Sequence, residues 1–238
     1  MAPAPRLSDP DVRPRDRLEH RDNAGGAGVL SRGEAQYMVA GRYAMHYELA
    51  HELQPVRTLQ AWINLPAADK LGPTSYVDLP RAAATRIEKP GVTARLHVGS
   101  VAGHAGADVQ QFKVPITLLD AELEPSASIA HEVPGDHAVA IHVIDGAVCV
   151  GAEGPAVAAR QTAWFDPEQA GTRSIAIEAQ TPAFVIVYSG RPGGEPVVFG
   201  DPFLMTTPEE NARAMADFQA GASAHPDDPP PTDAATRR

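Results

Sequence analysis

His46-Tyr47-Glu48 is the segment of this chain whose residue types and spacing are best suited to hold a reactive ion. In an extended strand, residues two apart point to one face, so His46 and Glu48 project together while Tyr47 points away. One imidazole nitrogen and one carboxylate oxygen make half of a mixed donor set. Such sets, with positions left open, bind iron(II) and other divalent first-row metals. As a bare pattern His-x-Glu also describes a solvated pair, or one satisfied inside a core.

The remaining candidates have blander readings. His20 precedes a glycine turn and reads as a strand surface residue, while His51, beside Glu52 in a loop just past the pair, is the best replacement ligand. His97, His104, His131, His137 and His142 fall later, where satisfied or exposed histidines are the default. His137 and His142 are five apart, which sends them to opposite faces of a strand. Cys149 lies in an apolar run and reads as packing rather than as a nucleophile. Gly25-Gly26 and Gly193-Gly194 are turns, since no helix follows them to cradle a phosphate.

The elements that must position these groups are mostly short strands. Arg17 to Asp22 and Gly28-Val29-Leu30 flank the Asn23-Ala24-Gly25-Gly26 turn; Gln36 to Ala40, Arg42 to Glu48 and Thr58 to Asn64 follow, and Pro66 closes the last. Arg81 to Phe112 alternates apolar runs with glycine turns and reads as a connection. A second series runs through Ile116–Leu123, Ala138–Ile144, Ala147–Val150, Ala156–Phe165, Ser174–Glu178 and Phe184–Tyr188. Strands at such spacings favour a sandwich or barrel. One helix is expected: Thr207 caps it, Pro208 takes the first position, Glu210 completes a capping box, and Gly221 stops it.

The 238 residues suffice for two small β domains. A formal net charge of -10 repels phosphate backbones and disfavours direct nucleic-acid binding. One cysteine excludes an internal disulfide and fits a reducing compartment, so a cytoplasmic address is expected. No window has the length and apolarity of a membrane span, and Met1 to Arg17 lacks the apolar stretch of a signal peptide.

Several ordered motifs together resemble the pirin family of the cupin superfamily. They are Leu18-Glu19-His20-Arg21-Asp22, Gly33-Glu34-Ala35-Gln36-Tyr37-Met38-Val39-Ala40-Gly41, His46-Tyr47-Glu48, Gln60-Ala61-Trp62-Ile63-Asn64-Leu65-Pro66 with Asp69-Lys70, and Gly194-Glu195-Pro196-Val197-Val198. The resemblance runs from about Leu18 to Gly221. It implies an all-β chain of two cupin-type β-barrels, a bicupin, the first incomplete, with a short C-terminal helix. The expected divisions are a disordered leader over 1–17, an N-terminal barrel over 18–110, a C-terminal barrel plus helix over 111–221, and a disordered tail over 222–238.

In that family the first barrel holds a metal through three histidines and a glutamate, and His46 and Glu48 fall on the last two ligands. The implied cofactor is Fe(II) or another divalent first-row metal, weakly bound if at all in this chain. The implied activity is that of a quercetin 2,3-dioxygenase opening a flavonol-like aromatic substrate, with Glu48 accepting a proton. The alternative, seen in animal relatives, is a non-enzymatic co-regulator that meets a protein partner. A monomer is expected. The first two ligands belong to a His-Pro-His-x-Gly motif that Met1 to Arg17 lacks, and Tyr43 and Tyr47 replace the family's glycine and serine.

Ala2 to Asp16 can be encoded by codons that, read from the second base of an alanine codon, spell His-Pro-His-Leu-Gly and then Thr-Leu-Thr-Tyr-Val-Leu-Glu. The hypothesis is an out-of-frame leader with the frame restored before Leu18; a nucleotide sequence whose shifted frame lacks the histidine pair refutes it.

Overall fold

The computed structural model describes residues 17–23, 25–42, 44–51, 55–107, 112–151, 154–168, 171–200 and 202–220. The expected leader up to Asp16, the expected tail, Gly221 and Tyr43 lie outside them. The described chain divides into two units, one of residues 17–78 with 193–220 and one of residues 79–192.

In the first unit, β1 (Leu18–Asp22), β2 (Ala27–Leu30) and β4 (His46–Ala50) form an antiparallel sheet in the order β2-β1-β4. β3 (Ala35–Val39) pairs with β5 (Ser75–Leu79). Period-two alternation explains the pairing faces: Leu18 and His20 are buried on β1, Tyr37 and Val39 on β3. Thr58 to Asn64, expected as a strand, has no regular structure and leads to a single turn at Ala67–Asp69. Its β-forming residues have no strand partner among the described residues, and a ladder needs one.

The second unit carries β6 (Thr85–Lys89), β7 (Val92–Val98), β8 (Ser100–Val101), β9 (His104–Ala105), β10 (Ile116–Leu123), β11 (Ser128–Pro134) and β12 (Ala138–Asp145). It continues with β13 (Ala147–Val150), β14 (Ala156–Ala158), β15 (Thr162–Phe165), β16 (Thr172–Ala179) and β17 (Ala183–Gly190). A six-stranded sheet, β15-β12-β17-β10-β7-β6, faces a four-stranded one, β11-β16-β13-β14. Alternate residues of both enter one core that includes Leu96, Leu119, Ile141, Ile177 and Val187.

By compactness the chain divides differently from the expected domains. β6 and β7, read as the end of the first barrel and a connection, are hydrogen-bonded into the second unit's sheet, with Leu96 opposite Leu119, Ala94 opposite Ala121 and Val92 opposite Leu123. Two glycines of this stretch sit in hairpin turns, Gly91 between β6 and β7 with φ 72 and Gly103 between β8 and β9 with φ 80, which favour glycine. Conversely β18 (Val198–Gly200), β19 (Phe203–Met205) and α1 (Pro208–Gln219), expected with the second barrel, belong to the first unit. α1 has the expected capping box from Thr207 and Glu210, and Phe218 meets Phe203 edge-on with ring centroids 6.1 Å apart. No helix of the described residues is long and apolar enough to cross a membrane.

Candidate functional site

β4 places His46 and Glu48 on one face, with Nδ1 and Oε1 3.9 Å apart and side chains 26% and 32% exposed. Tyr47 points the other way and is half exposed, between the exposed Met45 and Leu49. Register then decides what joins the pair. β1 sets Asp22 opposite His46 and His20 opposite Glu48, and directly opposed residues share a face. Four potential donors therefore lie on one side of the β1–β4 ladder.

Their surroundings keep them apart in role. His20, expected on the surface, is buried at 5% exposure. The Gln36 amide nitrogen donates to its Nε2 at 2.8 Å and to Asp78 Oδ1 at 2.8 Å, so this ring nitrogen is the acceptor and the proton sits on Nδ1. Tyr76 stacks on the ring with centroids 5.9 Å apart. Room for it comes from Gly28, where an added Cβ would sit 2.5 Å from the His20 Nε2. Asp22 Oδ1 accepts from the Gly26 amide at 2.9 Å, closing the turn. Burial first, and then the Asp22 carboxylate, hold the Tyr76 phenol above its usual range.

His51 does not replace a ligand. Its position five residues after His46 sends it to the other side of the ladder, where its Nδ1 is 3.5 Å from Glu19 Oε2. Arg21, foremost, and then His51 hold the Glu19 carboxyl below its usual range.

In the second unit, among the described residues, His97, His131 and His142 have side-chain hydrogen-bond partners, and His104 is exposed on β9. His131 Nε2 meets Ser189 Oγ at 3.0 Å inside the core, and His142 Nδ1 meets Thr162 Oγ1 at 2.8 Å. His137 precedes β12 in a turn. His97 Nε2 lies 2.7 Å from Asp120 Oδ2, whose other oxygen accepts from Arg95 at 2.7 Å; Arg95 also donates to Glu122 at 3.0 Å. Spacing within a few residues does not single out this buried network. Its signal was present: Arg95-x-His97 and Asp120-x-Glu122 repeat the period-two spacing of His46-x-Glu48 inside otherwise apolar strands.

The four-donor metal set implied by the resemblance does not fit these residues. Among the described residues no group of three or more His, Cys, Asp or Glu side chains converges to hold a metal. One imidazole and one carboxylate remain, and the third candidate, His20, has its Nε2 committed to Gln36.

Comparison with known proteins agrees with the fold and its motifs. Residues 118–224 match the model of the pirin C-terminal cupin domain and residues 15–63 that of pirin. A pirin-like protein of Caulobacter vibrioides is 31% identical over 208 residues, covering 86% of this chain and 73% of that protein. A Pseudomonas aeruginosa protein named "Putative quercetin 2,3-dioxygenase PA3240" is 29% identical over 214 residues, covering 87% and 74%. The crystal structure of a quercetin 2,3-dioxygenase from Acinetobacter baumannii superposes with a TM-score of 0.76 at 24% identity, covering 87% and 73%.

Proposed function

The chain belongs to the pirin family of cupin proteins, and from that premise we propose that it is a quercetin 2,3-dioxygenase type of pirin whose flavonol-opening activity is silent in a single chain of this sequence. The observation that carries the reading is the donor count. His46 and Glu48 sit 3.9 Å apart on one face, and among the described residues no group of three or more such side chains converges around them to hold a metal. Two ligands seldom hold a divalent ion tightly, because each added donor contributes to an affinity that must offset the ion's own hydration. When bound, such a metal supplies charge neutralisation to a deprotonated flavonol oxygen. Without it the residues here offer a partly exposed imidazole and carboxylate that can hydrogen-bond a phenol and exchange its proton.

The experiment pairs iron content with quercetin turnover, measured on this chain and on one in which a His-Pro-His-x-Gly strand precedes Leu18. Background loss of the flavonol absorbance is expected for the former and catalysis for the latter. Turnover by this chain as a monomer would sink the proposal. Metal uptake without turnover in the restored chain would favour the non-enzymatic regulator.

A further inference from the structure

Among the described residues His20, His97 and His131 are the buried histidines, and they differ in the fate of their second ring nitrogen. Nδ1 of His97 and of His131 is sealed from solvent without a partner. Nδ1 of His20 also meets no acceptor among the described residues, yet it is not sealed.

The rest of the His20 ring is enclosed by contacts that fix its polarity. Asp78 Oδ1 takes one hydrogen of the Gln36 amide nitrogen, and an ionised carboxylate can only accept, so that nitrogen turns its other hydrogen to His20 Nε2. Nε2 is thereby the lone-pair end of the ring and Nδ1–H the donor. The ring also leans away from β4. A Cβ added at Gly28, on β2, would meet Nε2 at 2.5 Å and the two ring carbons beside it at 3.3 Å, and β2 and β4 flank β1 on opposite sides. The ring therefore does not fill the space toward Glu48, the residue directly opposite His20 on β4, where Cβ atoms of such a pair stand about 4.5–5.5 Å apart.

Glu48 supplies the complement. Its carboxylate is an acceptor, 32% exposed, and its His46 neighbour at 3.9 Å is beyond hydrogen-bond reach. A fixed donor and an unspent acceptor on adjacent strands suit a molecule that presents the reverse pair, a carbonyl oxygen and a hydroxyl on neighbouring carbons. In a free molecule of that kind the two oxygens lie about 2.5–3.0 Å apart, joined by an internal hydrogen bond. The protein offers each oxygen its own partner, Nδ1–H for the carbonyl and the charged carboxylate for the hydroxyl, and bonds to a charged group are the stronger kind.

We infer that His20, held by Gln36 and Asp78, is a ligand-binding residue of this face, and that with Glu48 it takes up an aromatic hydroxy-ketone by opening the ligand's internal hydrogen bond, with no metal ion required. Only hydrogen bonds are exchanged. The inference rests on the face of His46 and Glu48 being the ligand site, the reading made above, but needs neither the metal nor the restored strand.

The probe is 3-hydroxyflavone, whose emission reports the state of its hydroxyl. Bonded to its own carbonyl, it transfers the proton in the excited state and emits at long wavelength; bonded to outside groups, it emits at short wavelength. Added to the full unsubstituted chain in the presence of EDTA, it should bind and move to the short-wavelength band. Flavone, which lacks the hydroxyl, and 3-methoxyflavone, which cannot donate, should bind roughly tenfold more weakly or worse, the worth of one hydrogen bond to a charged group. This arm needs no variant, so misfolding cannot imitate its result. His20→Phe keeps a ring in the Gly28 cradle without the donor, and should lose affinity by a similar factor and return any bound probe to long-wavelength emission. Gln36→Met frees the tautomer, which the imidazole nitrogen NMR resonances of His20 should show as a mixture alongside a smaller loss of affinity. Tyr47→Ser, on the opposite face, should leave binding unchanged. Long-wavelength emission from the probe bound to the unsubstituted chain, equal affinity for flavone, or full affinity in His20→Phe would each mean that apolar contact alone holds the ring system, and would overturn the inference. So would absence of binding, or binding that EDTA abolishes. Quercetin turnover by the restored chain is a separate result: its failure would sink the dioxygenase reading and leave the metal-free complex standing.

Discussion

His131 shows what an imidazole costs inside an apolar core. It is 1% exposed on β11, at a buried position alternating with Ile129 and Val133, with one hydrogen bond to Ser189. Burial first, and then the charges of His137 and Arg173, push it down to about 4. The sign follows. Above an unfolded value near 6.5 both states hold a neutral ring, and His131 adds no pH dependence. As pH falls from there to about 4, the unfolded chain takes up a proton that the core refuses, so stability is lost with acid. Between pH 7 and pH 5 the loss is about 2 kcal/mol. Urea unfolding at the two values should show it, and His131→Leu should remove that share of the difference; an unchanged difference would mean the ring is protonated in the fold.

At the scale of elements, the β2-β1-β4 sheet is held in shape by what Gly28 leaves out. Gly28→Ala drives a methyl into the His20 ring, which Gln36 and Tyr76 prevent from swinging aside. The expected cost is about 1–3 kcal/mol of overpacking. His20→Ala in the same chain should recover much of it, a coupling that a double-mutant cycle measures directly. Additive losses would place the strain elsewhere. This contact also marks the limit of legibility. That His46 and Glu48 share a face, that Tyr47 turns away, and that Thr207 and Glu210 cap a helix from Pro208 all follow from spacings within a few residues. The burial of His20 depends on register between strands and on a residue eight positions away that has no side chain. Local pattern carries no information on either. The Arg95–Asp120–His97 network was half legible: the alternation is in the letters, but that β7 and β10 lie side by side is not.

For the molecule as a whole, the same non-local pairing decides where a unit ends. Glycine turns made 81–112 read as a connection, and a boundary near 110 followed. The hydrogen bonds instead tie β7 to β10 over six residue pairs and enclose Val92, Ala94 and Leu96 in the core shared by the two facing sheets. Removing β6 and β7 would strip one side of β10 and expose those apolar side chains, at roughly 25 cal/mol per Å² of surface returned to water. Residues 79–192 hold both sheets and the whole of that core, whereas 111–221 lacks β6 and β7 and adds β18, β19 and α1, which belong to the other unit. A fragment of residues 79–192 should therefore unfold in one cooperative thermal transition with dispersed amide resonances. A fragment of residues 111–221 should aggregate or show a broad transition, because its sheet, cut from six strands to four, ends at β10 with an unpaired edge. Equal cooperativity in the two fragments would show that β6 and β7 are ornaments on a sheet complete without them, and would return the boundary to the position suggested by the turns.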